Sequence, residues 1–200
     1  MSVFRFADGV DVSDGEGITQ CHHIDENSII ANISAENILP VLKEICPVLC
    51  EPLFFFIEIP CDEATEASLN KGGEGILHKE VYYLDGCTKD VILAVLKRYG
   101  ELFVNDGLCE FGFASHESGD EVYVLKYKIV RIFSEHISDY SKLLSANGIP
   151  KLDKIKTAWD TFSESSPGTC VCVEYDGETI YDAVENLKEA GLYFSHYSED

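Results

Sequence analysis

The sequence predicts an α+β fold in which a β-α-β-β-α-β unit occurs twice, with antiparallel sheets and the helices on one face. Three observations favour this fold. Two stretches of the chain echo each other, and strand-like and helix-like patterns follow in the same order around both. In addition, 46% of the 200 residues are hydrophobic, which is enough for a packed core. This length suits one large domain or two of about 100 residues each.

The two similar stretches, which we call the echo, are residues 85–103, DGCTKDVILAVLKRYGELF, and residues 176–194, DGETIYDAVENLKEAGLYF. The two stretches align without a gap. Each opens with an Asp-Gly turn and a threonine that can cap a helix, and apolar residues then recur at helical spacing. Gly100 and Gly191 stand where a C-cap glycine is expected. Each copy therefore predicts a turn, a helix, a glycine stop and entry into a strand.

The elements around the echo follow the same order in both halves of the chain: strand, amphipathic helix, strand, strand, echoed helix, strand. The first copy comprises NSIIANI, SAENILPVLKEIC, LFFFIEIP, ILHKEVYYL, the echo and LCEFGFAS. The second comprises EVYVLKYKIVRIF, SEHISDYSKLLSANG, KIKTAWDTF, TCVCVEY, the echo and LYFSHY. This order is the ferredoxin-like arrangement. We therefore divide the chain into an N-terminal strand (VFRF) with an acidic loop (1–27), a first unit (28–116) and a second unit (117–200), with EVYVLKYKIVRIF as one long strand bridging the halves.

The composition favours a cytoplasmic protein. The longest apolar run, LFFFIEIP, is far shorter than the roughly 18 residues of a membrane span. The first 15 residues contain one arginine and several acids, which is unlike a secretory signal. We therefore interpret the eight cysteines as small buried thiols of a reducing compartment rather than as a disulfide framework.

The net charge of −21 restricts the class of partner. Residues 1–116 contain 20 acids and 7 bases (−13), and residues 117–200 contain 16 acids and 8 bases (−8), so both halves are acidic. Such a field repels nucleic acid and anionic membranes and attracts basic proteins. The same charge also serves solubility, and the sequence leaves both interpretations open, together with the oligomeric state.

The candidate metal and phosphate motifs lack the required spacing. In residues 21–26, CHHIDE, two adjacent histidines would point to opposite faces of a strand, and the spacing is not that of a zinc site, so we expect a surface loop. The acids of DGVDVSDGEG do not match an EF-hand loop. The glycine-rich segment 71–75 precedes a strand, whereas a phosphate-binding loop follows one. We predict no metal site and no cofactor.

An enzymatic activity is not favoured by any motif. The sequence contains no Gly-x-Ser-x-Gly elbow and no His-Glu-x-x-His pair. A dispersed site remains open, and its candidates are Cys109, Glu110 and His116, which lie across a predicted strand and turn. An enzyme with such a thiol and carboxylate site is our second alternative.

The favoured function is binding and inhibition of a basic protein. An acidic α+β chain of this size without catalytic motifs is similar in general character to the immunity proteins that bacteria make against toxic nucleases. That resemblance implies occlusion of a basic active site without a cofactor, with charge complementarity accelerating the encounter. The residues we expect to contact the partner, chosen for predicted exposure and acidity, are Glu117, Asp120, Glu121, Asp160 and Glu164.

The first alternative is a small-molecule sensor. Tandem ferredoxin-like units can hold a ligand at their interface, as regulatory amino-acid-binding modules do. The glycine-rich first loop typical of such modules is missing here, because NSIIANI runs directly into Ser34. Stabilisation by a metabolite, independent of salt, would distinguish a sensor from an inhibitor.

Overall fold

The computed structural model describes residues 3–70, 75–163 and 166–199. These residues form ten β-strands. The strands are β1 Val10–Asp11, β2 Cys21–Asp25, β3 Ser28–Asn32, β4 Leu53–Pro60, β5 His78–Cys87, β6 Glu110–Ser115, β7 Glu121–Val124, β8 Val130–Phe133, β9 Thr169–Cys170 and β10 Tyr193–Glu199.

The same residues form five α-helices. The helices are α1 Ala35–Ile45, α2 Glu63–Leu69, α3 Lys89–Asn105, α4 Ile137–Ala146 and α5 Ile180–Glu189. In the described part of the chain, no helix has the length and apolar character needed to cross a bilayer.

Eight of the strands form one sheet in the order β10-β5-β4-β6-β7-β8-β3-β2, and every pairing in it is antiparallel. The remaining two strands, β1 and β9, pair with each other. The predicted α+β class with antiparallel sheets is confirmed. The strands β7 and β8 of the predicted second unit lie between β6 and β3 of the first, so one sheet runs through both units. The internal duplication stays a prediction.

The side chains of β4 alternate between the two faces of the sheet. Leu53, Phe55, Ile57 and Ile59 belong to the hydrophobic core, where α1, α3, α4 and α5 contribute their buried residues. The ring of Phe55 lies 6.0 Å from the ring of Phe103 in α3. Because these residues face the helices, the intervening residues of β4 lie on the opposite face.

The echoed stretches form α3 and α5, with Thr88 and Thr179 at the N-cap positions. The side chain of Thr179 accepts from Asp182 N, whereas the side chain of Thr88 makes no cap hydrogen bond. The prediction of an Asp-Gly turn is wrong for the first copy, because Asp85 and Gly86 belong to β5.

Gly191 ends α5 as predicted, with φ +105°, a backbone conformation that glycine tolerates best. The prediction for Gly100 is wrong, because α3 continues to Asn105. A Cβ atom at Gly100 would lie 2.4 Å from Leu39 Cδ1, so this glycine permits close packing of α3 against α1.

Four predicted strands of the chain differ from the structure. The segment VFRF does not form a strand, KIKTAWDTF contains a 3-10 helix (Ala158–Thr161), and TCVCVEY is strand only at β9. The predicted bridging strand EVYVLKYKIVRIF is divided into β7 and β8 by a turn. The turn forms because Tyr127 and Lys128 both adopt φ +59°, which a continuous strand does not allow.

Three backbone hydrogen bonds join the N-terminal loop, the end of α3 and the segment after β9. Gly9 N donates to Asn105 O (2.7 Å), Val171 N donates to Gly9 O (2.8 Å), and Gly107 N donates to Val171 O (2.9 Å). A Cβ atom at Gly107 would lie 2.0 Å from Gly9 O. The junction therefore requires glycine at position 107.

We expect Gly107→Ala to lower the free energy of unfolding by about 1–3 kcal/mol, because the added methyl group forces this backbone apart. Gly75→Ala is the matched control, since a Cβ atom there has no neighbour within 4 Å. Urea denaturation of both variants tests the prediction, and equal stability of the two variants would contradict it.

His22 is a fully buried link between β2 and the helix layer. Its Nδ1 atom lies 2.8 Å from Ile149 O, and its Nε2 atom lies 2.8 Å from Ser141 Oγ. A carbonyl oxygen can only accept, so Nδ1 carries the proton and Nε2 accepts from the serine hydroxyl. Burial lowers the pKa of His22 below its ordinary value. The prediction of a surface loop at residues 21–26 is wrong, because Cys21–Asp25 form β2 and Glu26 lies in the turn that follows.

We expect His22 to make the protein less stable as the pH falls. Because its folded pKa is lowered, the unfolded chain binds the proton more readily. The contribution of His22 is therefore complete above the ordinary histidine pKa of about 6.5 and declines below it. Urea midpoints at several pH values should fall more steeply for the wild type than for His22→Gln. His23→Gln, which removes the half-buried neighbour, should keep the wild-type slope, and an unchanged slope in His22→Gln would refute the assignment.

Candidate protein-binding face of the sheet

The sheet face opposite the helices carries five aromatic residues that we call the aromatic patch: Phe54, Phe56, Tyr83, Tyr123 and Tyr193. Tyr193 of β10 pairs with Tyr83 of β5, which pairs with Phe56 of β4, so the three side chains share one face. Ring centroids in the patch are 4.9 Å (Phe56–Tyr123) to 6.4 Å (Tyr83–Tyr193) apart. The rings therefore form a continuous aromatic cluster across the sheet, in which Phe56 is only 5% exposed, Phe54, Tyr83 and Tyr123 are half-buried, and Tyr193 is 47% exposed.

Gly112 makes the centre of the patch possible. It lies on β6, between Phe56 of β4 and Tyr123 of β7 in the register of the sheet. A Cβ atom at Gly112 would lie 2.5 Å from Phe56 Cζ and 2.2 Å from Val122 O. The phenyl ring of Phe56 thus extends over the bare backbone of β6 and reaches Tyr123.

Asp85 ties two aromatic side chains together at one end of the patch. The hydroxyl of Tyr193 donates to Asp85 Oδ2 at 2.5 Å, and His116 Nε2 lies 3.3 Å from Asp85 Oδ1. The hydrogen bond to Asp85 raises the pKa of Tyr193. The imidazole of His116 also packs on the ring of Phe54, with a centroid distance of 4.6 Å. The carboxylate therefore fixes the orientation of this end of the patch.

Two carboxylates and one ammonium group lie at another border of the patch. Glu58 of β4 pairs directly with Glu110 of β6, and like charges in this position are destabilising. Lys79 forms an ion pair with Glu110 and lies 4.0 Å from Glu58 Oε2. Burial, followed by the charge of Glu110, raises the pKa of Tyr123. One lysine facing two carboxylates leaves this border negative.

The residues that we expected to contact a partner occupy different environments. Glu117 is exposed in the turn between β6 and β7, and Glu121 is half-buried on the open face of the sheet, where burial raises its pKa. Asp120 is only 6% exposed, and its Oδ2 atom accepts from the hydroxyl of Tyr140 at 3.0 Å. Asp160 is exposed but caps the 3-10 helix through Thr157. Glu164 lies outside the described residues.

The expected exposure is therefore correct for Glu117 and Asp160 and wrong for Asp120, whose carboxylate is directed into the chain. Contact with a partner stays a prediction for all five residues. The aromatic patch was not predicted from the sequence, although the alternation of Phe54, Phe56 and Glu58 with core residues along β4 was a signal for a second face.

The candidate residues of a dispersed catalytic site do not assemble. Cys109 and His116 lie at opposite ends of β6, which separates them by about 20 Å at the rise of a strand. Burial raises the pKa of the Cys109 thiol to about 12, although the Lys128 ammonium group opposes the shift. Glu110 is occupied by its ion pair with Lys79. This arrangement provides no activated nucleophile.

The histidine-rich and acidic stretches noted in the sequence do not form a metal site among the described residues. No group of three or more His, Cys, Asp or Glu side chains is placed to hold an ion there. His22 is buried and His23 is half-buried at adjacent positions of β2, whose side chains point to opposite faces. Residues 71–74 of the glycine-rich segment lie outside the described residues.

A groove separates the two echoed helices, α3 and α5, on the other side of the molecule. Its volume is about 550 Å³. Its walls are mainly apolar, and one arginine lies among them. The lining includes Leu84, Val91, Ala94, Val95, Arg98 and Leu187.

No protein-family model, curated protein or solved structure matches the chain. A functional assignment therefore depends on the sites themselves, since a fold alone does not define an activity.

We expect the cysteines to show no activated thiol. At pH 7.5, iodoacetamide should label the exposed Cys50 first and Cys172 more slowly, because burial of its thiol raises the Cys172 pKa to about 11. Cys109 should react only after unfolding. Peptide mapping by mass spectrometry follows each site, and rapid labelling of Cys109 in the folded protein would instead favour an enzyme.

Proposed function

We propose that the protein is a non-catalytic binding protein that occludes a basic partner with the open face of its sheet. The observation that carries the proposal is the aromatic patch with carboxylates at its borders, on the face that the helices leave open. Aromatic residues dominate the binding energy of many protein interfaces, and a polar rim commonly surrounds them. The patch has both parts.

The charges at the border support a basic partner rather than a neutral one. Glu58 and Glu110 share Lys79, and Asp85 and Glu121 add two further carboxylates on or beside the same face. Arg131, which pairs with Tyr123 and interacts with Glu121, supplies a second cation, so carboxylates outnumber these cations. A partner that supplies arginine or lysine side chains would compensate this negative charge. The net charge of −21 would also accelerate the encounter at low ionic strength.

A nuclease toxin is the partner class that we favour. Nucleases bind phosphates with basic surfaces, and an acidic aromatic face can cover such a surface. The protein would then act as an immunity-type inhibitor, stoichiometrically and without a cofactor. A cytoplasmic location belongs to the same proposal and is supported by eight free thiols.

The internal duplication of a ferredoxin-like unit is also part of the proposal. Its support is the shared order of a threonine at the N-cap position, a helix and a strand in α3 and α5, and each of these strands belongs to the common sheet. Gly86 at the end of β5 and Gly177 in the turn before α5 both adopt positive φ.

The alternative function is a small-molecule sensor. The observation that favours it is the groove between α3 and α5, which lies between the helices of the two proposed units. A sensor would be stabilised by its ligand without a basic partner.

We expect charge removal on the open face to weaken partner binding. The immobilised protein should retain one basic protein from a lysate of its host, supplemented with proteins encoded beside it, and release it in stepped salt. For that protein, Glu58→Gln/Glu121→Gln should lower the association rate by about tenfold at low salt, because the open-face charge no longer steers the encounter. Stopped-flow association measured at several ionic strengths gives the rates.

Glu36→Gln/Glu101→Gln is the matched control, since it removes two exposed carboxylates from the helix layer. This control should keep the wild-type rate within twofold or so, because charge far from an interface contributes little. Equal rates for both double variants would show that the open face is not the binding surface. Failure to retain any protein at any salt concentration would favour the sensor.

A further inference from the structure

We propose that the groove between α3 and α5 binds a small amphipathic carboxylate, with an apolar chain along the groove and its carboxylate on Arg98. This site is separate from the aromatic patch and does not depend on the proposed partner.

The groove has an apolar lining and a volume that could hold a small ligand. Leu84, Val95 and Leu187 belong to the hydrophobic core and also line the groove, and Val91 on its wall is 41% exposed. The volume of about 550 Å³ is in the range of small-molecule sites. An apolar chain placed here would cover surface that now faces water.

The polar end of the groove is already built to hold a carboxylate. Arg98 of α3 donates from Nη2 to Glu178 Oε2 at 2.5 Å, and Asn186 of α5 donates from Nδ2 to Glu178 Oε1 at 3.0 Å. Arg98 and Asn186 both line the groove. The carboxylate of Glu178 therefore joins the two helices through donors that a ligand carboxylate could use in its place.

Arg98 is held in a position that suits this exchange. Its guanidinium carbon lies 4.7 Å from the centroid of the Tyr99 ring, and its side chain is 56% exposed. A guanidinium group has five N–H donors in a planar fork, which matches the two oxygens of a carboxylate. A ligand carboxylate can thus approach from solvent and displace Glu178.

The charges and the length of the groove define the ligand further. Asp85 lines the groove near the start of α3, so a negative group is repelled from that end and directed towards Arg98. Arg98 lies seven positions after Val91 along α3, which corresponds to about 10 Å. An extended chain of roughly eight carbons has this length. The ligand class is therefore a medium-chain carboxylic acid or an aromatic acid of similar length.

Octanoate is the test ligand, and calorimetric titration of the full chain is the measurement. We expect saturable binding that is at least tenfold weaker for 1-octanol, which has the same chain without the charge. Arg98→Gln should weaken octanoate binding at least tenfold. Glu178→Gln should tighten it several-fold, because the internal competitor is removed. Lys97→Gln is the matched control for loss of one exposed cation and should bind as the wild type does.

The opposite response of the Arg98 and Glu178 variants distinguishes a carboxylate site from general apolar adsorption. Both residues lie at the surface end of the groove, so their substitution should not prevent folding, and far-ultraviolet circular dichroism checks this. Binding of octanoate and octanol with equal affinity would overturn the proposal, as would absence of saturable binding. Octanoate binding that is unchanged in both Arg98→Gln and Glu178→Gln would overturn it too.

Discussion

Side chains on the open face of the sheet must bury their apolar surface against one another, because α1, α3, α4 and α5 contribute their buried residues to the core on the other face. Every strand residue that does not point towards the helices points towards solvent or towards a neighbouring strand. In the centre of the sheet, the ring of Phe56 meets this constraint by lying over Gly112 and against Tyr123. Rings that cover one another bury apolar surface without a second layer. The open face is consequently ordered before any partner arrives.

Charge placement on this face follows from the same arrangement. Glu58 and Glu110 are brought opposite each other by the register that also aligns Phe56 with Gly112. Part of this repulsion is offset within the protein, because Lys79 lies beside both carboxylates and the hydroxyl of Tyr123 forms a hydrogen bond with Glu58. Under the proposed function, an arginine or lysine side chain of the partner would compensate the negative charge that remains.

The sequence was sufficient to predict the helices, which depend on local patterns. It was not sufficient to predict which side chains meet across the sheet, because that depends on the order and register of the strands. The helices α1, α3, α4 and α5 were all predicted, since their apolar spacing and caps are local signals. The stretch KIKTAWDTF resembled a strand, yet the capping interaction of Thr157 with Asp160 starts a 3-10 helix there. The aromatic patch could not be assembled from sequence, because its residues come from β10, β5, β4 and β7, and long-range pairing sets the order of these strands around β6. Asp120 was misjudged for the same reason, since Tyr140 reaches it from α4.

The strand β5 connects the two proposed binding surfaces. Tyr83 belongs to the aromatic patch, the next residue, Leu84, lines the groove, and Asp85 lines the groove while it accepts from Tyr193. A ligand in the groove therefore contacts the backbone segment that orients one end of the patch. If occupancy of the groove moves Asp85, partner affinity changes, and linkage requires the partner to change ligand affinity by the same factor. Such a coupling between the groove and the aromatic patch would pass through three consecutive residues of β5, Tyr83, Leu84 and Asp85.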